Sequence, residues 1–280
     1  MMITFGPGGN SLSWGKRKFP DDLAEYLGGF GLNGYEIECG RGVRIAESTL
    51  ARLPGIAHEN GIYVTLHAPY FISLSSTEEE KRLKSVGYIL ESAKAAKAVG
   101  ARKIVVHSGS CSKMTRAEAL FLAKDTLKKA QAALDENGLS DVIICPETMG
   151  KINQLGTLDE VLELCAVDER FLPTVDFGHL NARTLGGIRG RDDYAKMLDD
   201  IENALGFERL SKMHVHFSKI EYTNGGEKKH LTFADKTFGP DYEPLFEEIK
   251  LRSLEPSVIC ESDGTQAEDA AEMKRFYESL

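Results

Sequence analysis

Six short β-branched or apolar runs of this chain end in a histidine or a carboxylate. They are IYVTLH at His67, KIVVH at His107, VIICPE at Glu147, LPTVD at Asp176, KMHVH with His214 and His216, and SVICE at Glu261. Imidazoles and carboxylates together suit zinc, or manganese and iron where oxygen ligands predominate. A carboxylate that interrupts an apolar strand needs a partner. No arginine stands at these strand ends, and Lys103 and Lys212 lie at the opposite ends of their strands. A metal cluster accounts for Glu147, Asp176 and Glu261 together. His58, in the helical stretch IAHENG, reads as an ordinary surface residue.

Two local patterns extend the set. In TVDFGHLNART, His179 follows Asp176 by one helical turn. It could bind a neighbouring metal, or it could orient Asp176 or touch substrate. His214 and His216 alternate along one strand and so face the same side. Only one need ligate a metal; His214 is taken as the ligand and His216 as a supporting residue.

Elements that carry strand ends to one place are spaced by roughly 30–50 residues, about one strand-plus-helix unit each. Strands are expected near 2–6, 34–38, 62–67, 103–107, 142–147, 172–176, 212–217 and 257–261. Helical periodicity is clearest at 77–98 and 115–137, where Leu83, Val86, Ile89, Leu90 and Ala93 mark one buried face. Ser76 with Glu79, and Thr115 with Glu118, resemble capping boxes, and Gly100 and Gly138 offer the stops. Eight strands alternating with helices predict a single-domain (β/α)8 TIM barrel over 1–280, with the metal site at the C-terminal ends of the strands. A doubly wound open sheet is the alternative, but no GxGxxG follows a first strand. Segment 218–240 reads as a long polar connection, and loops of that length are usually functional.

The composition is that of a soluble globular protein, with 42% hydrophobic and 28% charged residues. A formal charge of −9 argues against a broadly basic nucleic-acid-coating surface, though not against a local phosphate site beside divalent cations. The five cysteines contain no CxxC pair, so reduced thiols and a cytoplasmic location are expected. No secretory signal or membrane span is read.

The ordered motifs HAPYFISLSS, VVHSGS, CPETMGKINQLGT, VDFGHLNART, MHVHFSK and ICES resemble those of the endonuclease IV family. Each is weak alone, and the ordered set is specific. The resemblance implies a zinc-dependent AP endonuclease of base excision repair, hydrolysing the phosphodiester 5′ to an abasic site in double-stranded DNA. It implies two to three zinc ions, with manganese possible at one site, and a monomer. His67 and His107 would hold one metal, with Glu147 bridging to a second completed by Asp176, His214 and Glu261. His179 and His230 would hold a third. Glu147 and Glu261 would steady the attacking water, and Tyr70 and Phe71 would wedge into the minor groove beside the extruded nucleotide. Arg41 and Arg44 are weaker candidates for phosphate or base-stack contacts. One position departs: the family has an aspartate two residues before His230, where this chain has Lys228, with Glu227 one residue further back.

A divalent-metal sugar isomerase or epimerase of the xylose isomerase-like superfamily is the competing reading. Glu147, Asp176, His214 and Glu261 would serve it, with the two glutamates exchanging a proton at adjacent carbons. His67, His107 and the Tyr70-Phe71 pair have no evident place in it. A metal-stabilised scaffold has no positive support.

Overall fold

Inward and outward residues alternate along the strands of this chain, which a computed structural model describes over residues 3–280. The strands are β1 (Thr4–Pro7), β2 (Gly34–Glu38), β3 (Tyr63–His67), β4 (Lys103–His107), β5 (Ile143–Glu147), β6 (Thr174–Asp176), β7 (His214–Phe217), β8 (Lys219–Thr223), β9 (Gly226–Leu231) and β10 (Ser257–Cys260). The helices are α1 (Leu23–Phe30), α2 (Glu47–Glu59), α3 (Glu79–Ala98), α4 (Arg116–Glu136), α5 (Leu158–Cys165), α6 (Phe177–Arg183), α7 (Arg191–Leu205), α8 (Phe207–Ser211), α9 (Glu243–Leu251) and α10 (Gln266–Ser279).

Eight strands form one parallel sheet in the order β1-β10-β7-β6-β5-β4-β3-β2. The two ends of that sheet meet. Gly8 bridges Glu36 in parallel, Gly9 N–H donates to the Glu36 carbonyl at 3.0 Å, and Asn33 N–H donates to the Phe5 carbonyl at 3.2 Å. The contact is close because two glycines face each other: a Cβ on Gly6 would lie 2.0 Å from the Gly34 carbonyl oxygen. The result is a (β/α)8 TIM barrel, and the open-sheet alternative is set aside by this closure.

Val64, Leu66, Ile104, Val106, Ile144, Val175 and Val215 face outward into the helical shell and form its core with Leu127, Leu134, Ile201 and Phe246. The intervening positions turn into the barrel, and there the chain departs from the branched apolar filling common in this fold. Glu36, Thr65, Lys103, Thr174, His214, His216 and Ser257 are all buried. Thr115 and Glu118 form the expected capping box, and Thr157 with Glu160 forms another. Ser76 does not cap α3; its hydroxyl accepts from Glu78 N–H at 3.2 Å, and Glu78 occupies the N-cap.

The strand expected at 2–6 starts at Met2, which lies outside the described residues; β1 begins at Thr4. The polar connection expected at 218–240 carries the antiparallel hairpin β8–β9. No helix among the described residues is long and apolar enough to cross a membrane, and all five cysteines are free and buried.

Candidate metal centre

Every strand end singled out by its histidine or carboxylate arrives at one mouth of the barrel. His67, Tyr70, His107, Glu147, Met149, Lys151, Gln154, His179, Glu227, His230 and Glu261 line a cavity of about 290 Å³ there. Glu147, buried at the end of β5, is its hub. Its Oε2 lies 3.4 Å from His67 Nε2 and 3.3 Å from His107 Nε2. Its Oε1 lies 3.0 Å from His216 Nδ1 and 3.7 Å from His179 Nδ1. Several groups of ligand atoms lie close enough to share a cation, among them His67 with His107 and Glu147, Glu147 with Asp176, His216 and Glu261, His179 with Glu227 and His230, and, lower in the lumen, Glu36 with His214 and His216.

Hydrogen bonds set which imidazole nitrogen each group offers. His67 Nδ1–H donates to the Ala68 carbonyl at 2.8 Å, leaving Nε2 toward Glu147. His179 Nδ1–H donates to the Thr148 carbonyl at 2.9 Å, and Nε2 then faces Glu227 Oε2 at 3.5 Å. His230 Nδ1 is held by Ser218 Oγ at 2.8 Å. Asp176 uses Oδ1 to accept from His179 N–H at 2.7 Å, capping α6. Its Oδ2 is buried with no hydrogen-bond donor. His179 Nδ1 lies 3.3 Å from it, but that proton is directed at Thr148. A buried carboxylate oxygen without a proton donor fits a cation.

The structure brings His216, and not His214, to the carboxylates. Both point into the lumen, but two residues of strand raise His216 by about 6–7 Å toward the mouth. His214 lies one layer lower, its Nε2 3.0 Å from Glu36 Oε2 and its Nδ1 3.0 Å from Ser257 Oγ. The group expected to contain His214 with Asp176 and Glu261 contains His216 in its place, and His214 groups with Glu36 and His216. Glu36 was not foreseen as part of this assembly, although it interrupts the run GYEIE much as Glu147 interrupts VIICPE. Glu38, also unforeseen, stands in register with His67 at the rim.

The departure at Lys228 is absorbed by the backbone. In the β8–β9 hairpin Glu221 pairs with Lys229 and Tyr222 with Glu227, so Lys228 is an extra residue in β9. In a regular strand positions 227 and 230 face opposite sides; one bulged residue brings both to the same side. Lys228 turns outward to Glu221 at 2.6 Å. Gly150 makes room, since a Cβ there would sit 2.5 Å from Glu227 Cβ. The loop that carries Gly150 is fastened from below. Arg116 donates to the carbonyls of Ile152 and Gln154 and grips Glu160, while Arg183 donates to the Met149 carbonyl.

The protein's own charges polarise the site. Burial alone would raise Glu147, but His216 and His67 hold it well below the usual carboxylate range. Glu261 is pushed well above that range by burial, with Glu147 and Asp176 adding to it. Burial works against the charged form of His67, yet Glu147 and Glu38 carry it up to about 10. His179 likewise reaches about 9, through Asp176 and Glu227. His107 is pushed down to about 3 by burial. A bound divalent cation would favour the ionised carboxylates and the neutral imidazoles throughout.

Tyr70 and Phe71 stand at the rim, 60% and 42% exposed. Phe71 is braced edge-on against Tyr88, with ring centroids 4.8 Å apart, whereas Tyr70 projects beside the cavity.

Residues 25–280 match the xylose isomerase-like TIM barrel family. The chain belongs to that family. It is 32% identical to an uncharacterized protein of Methanocaldococcus jannaschii, over 99% of this chain and 98% of the relative. It is 33% identical to a probable endonuclease 4 of Mycoplasma pneumoniae, over 64% of this chain and 60% of that relative's length. Among solved structures, endonuclease IV from Thermus thermophilus superposes with a TM-score of 0.67 at 18% identity, covering 99% and 97% of the two chains. A D-tagatose 3-epimerase-like protein superposes with a TM-score of 0.74 at 20% identity, with the same coverage. At such identities the superpositions establish the barrel alone. The resemblance read from the ordered motifs is matched by the endonuclease 4 relatives.

Proposed function

We propose that this protein is a metal-dependent endonuclease that hydrolyses double-stranded DNA 5′ to abasic sites. The observation that supports it most is the convergence of three donor groups on one cavity beside an exposed Tyr70. Glu147, Asp176, His216 and Glu261 alone would suffice for an isomerase or epimerase. His67, His107, His179, His230 and Glu227 add two further nitrogen-containing groups that such a reaction does not require.

Donor types and the unpaired Asp176 Oδ2 fit zinc, two or three ions, with manganese suited to the oxygen-rich group. His67 and His107 would hold one ion, Glu147 would bridge to another held by Asp176, His216 and Glu261, and His179, Glu227 and His230 would hold a third. When bound, these ions supply a water ionised near neutral pH and stabilise charge on the phosphate and its leaving oxygen. The residues do the rest. Glu147 and Glu261 accept hydrogen bonds from the attacking water and fix its direction. Tyr70 and Phe71 fill the gap left in the base stack, and the fastened loop bearing Lys151 and Gln154 bounds the pocket in which the extruded sugar would sit.

The test is a duplex oligonucleotide carrying one synthetic abasic site, incubated with zinc-loaded protein beside an undamaged duplex and a chelated sample. Metal-dependent incision 5′ to the lesion, leaving a 3′-hydroxyl, is expected. No incision with zinc, manganese or cobalt, together with turnover of a ketose, would overturn the proposal in favour of the epimerase reading. Tyr70→Ala is expected to weaken binding of the abasic duplex by about 1–3 kcal/mol, measured by anisotropy, without reducing zinc content.

A further inference from the structure

We propose that Lys151 and Gln154 form a two-donor subsite for a phosphate of the substrate, set in the cavity wall beside the metal groups. The proposal deepens the nuclease reading and rests on it for the source of that phosphate, the lesion-bearing strand of the duplex.

Both residues stand on one turn of the loop between β5 and α5. Gln154 N–H donates to the Lys151 carbonyl at 3.0 Å, which closes a turn over Lys151–Gln154. Such a turn brings its first and fourth Cα atoms within about 7 Å, so the two side chains rise from neighbouring points. Both line the cavity at the mouth.

The turn is pinned on two sides. Lys151 bridges Gly226 of β9, Ile152 N–H donates to the Gly225 carbonyl at 3.1 Å, and Glu227 N–H donates to the Gly150 carbonyl at 3.1 Å. Opposite, Gln154 bridges Ser110, and Cys111 N–H donates to the Asn153 carbonyl at 3.0 Å. Arg116 donates to the carbonyls of Ile152 at 3.0 Å and Gln154 at 2.9 Å, and Glu160 holds the same guanidinium at 2.6 and 2.7 Å. A backbone ordered in advance reduces the entropy lost when its side chains take a ligand.

The side chains, by contrast, are left without partners. Lys151 Nζ makes no ion pair or hydrogen bond among the described residues, in a chain where 43 acidic residues outnumber 34 basic ones. Its neighbours differ: Lys228 and Lys229 pair with Glu221 at 2.6 and 3.6 Å. Glu227, on the same cavity wall, turns to His179 at 3.5 Å. Gln154 buries its Oε1 without a donor, so the end of the amide that lines the cavity is Nε2, and no acceptor among the described residues meets it.

Lys151 is the one lysine or arginine among the described residues lining this cavity; the other charge-bearing groups there are histidines and glutamates. An ammonium and an amide NH2 only donate, so their ligand is an acceptor, and the ammonium selects an anion. A phosphodiester offers one negative charge spread over two unesterified oxygens, one for each donor. Divalent cations on the donor groups would offset the repulsion that Glu147, Glu227 and Glu261 otherwise set against it.

The experiment is fluorescence anisotropy of the zinc-loaded full-length protein with an abasic duplex over a salt series. Each phosphate neutralised by a lysine adds about 0.9 to the slope of log affinity against log salt. Lys151→Met is expected to weaken binding by about 10–100-fold and to lower the slope by one such contact, and Lys151→Arg to restore the slope. Lys151 is exposed, so these variants are expected to fold. Gln154→Ala is expected to weaken binding by about 2–10-fold with the slope unchanged, because the amide carries no charge. An unchanged slope and affinity in a Lys151→Met protein that still cuts the duplex would overturn the subsite and leave the nuclease reading standing. A wild type that ignores the duplex, yet binds a ketose phosphate more tightly than the free ketose and loses that difference in Lys151→Met, would keep the subsite and sink the nuclease reading. A wild type that binds neither the duplex nor the ketose phosphate would overturn both.

Discussion

The lower and upper halves of the barrel lumen are built from the same side chains and behave as opposites. Below, Glu36 accepts from Thr65 and lies 2.8 Å from His216 and 3.0 Å from His214, and Ser257 and Lys103 continue the chain to the Lys212 carbonyl. Buried charge is compensated there within the protein, which is the condition for tolerating it. Above, Glu147, Asp176 and Glu261 crowd together and Asp176 Oδ2 has no donor. Glu36 Oε1 also lacks a hydrogen-bond partner, so what separates the halves is that the cavity at the mouth reaches the upper group and not the lower one. The closed half fixes geometry, and the open half is left for a cation and a substrate.

That contrast is tested most strongly at Glu261. Glu261→Gln keeps the shape of the upper group and removes a carboxylate that faces the substrate space. Cleavage of an abasic duplex is expected to fall by about 10²–10⁴-fold, with duplex affinity changed only severalfold in anisotropy. Activity equal to wild type would remove Glu261 from the chemistry.

A second test separates the halves thermodynamically. A ligand that binds only the folded state stabilises it by about 2.7 kcal/mol at a hundredfold excess over its dissociation constant. Zinc added to chelator-treated protein is expected to raise the unfolding free energy by about that amount in calorimetry. Glu147→Gln, at the hub of the upper half, should lose most of this response. Lys103→Met, at the foot of the lower half, should keep it. If Lys103→Met loses the response too, the halves are one unit and the comparison fails.

What could be read from the sequence follows the same division. Six of the strands are legible because each couples a β-branched or apolar run to a terminal histidine or carboxylate, as in KIVVH and VIICPE. His67, His107, Glu147, Asp176 and Glu261 reach the mouth, since a strand end is a place that sequence can locate, whereas His179 in α6 rests on its spacing from Asp176 and His230 in β9 on the family resemblance. Depth within the lumen is harder. Alternation places His214 and His216 on one side but not at a level, which the registers Ser257 with His214 and Ile259 with His216 supply. Glu36 sits in the middle of a strand rather than at its end, so nothing in the terminal pattern pointed to it. Glu227 depends on a bulge, a property of pairing between two strands that neither strand encodes alone.

The finest test concerns the one cation that closes the lower half. Burial pushes Lys103 down to about 8 from an ordinary value near 10.5. The folded protein thus binds fewer protons than the unfolded chain between those limits. Stability from this group must then rise with pH across that window, by about 1.4 kcal/mol per unit of separation. Below about pH 8 the whole cost of the buried ammonium is present. Lys103→Met removes both the cost and its pH dependence, while giving up the hydrogen bonds to Ser257 and Lys212. Denaturant unfolding of both proteins at pH 7.5, 9 and 10.5 is expected to show the wild type gaining on the variant at each step. Parallel curves would mean that Lys103 stays charged at no net cost, compensated by Glu36 along the chain of hydrogen bonds. The lower half would then be an ion pair drawn out over two side chains, and its contrast with the open half above would be sharper still.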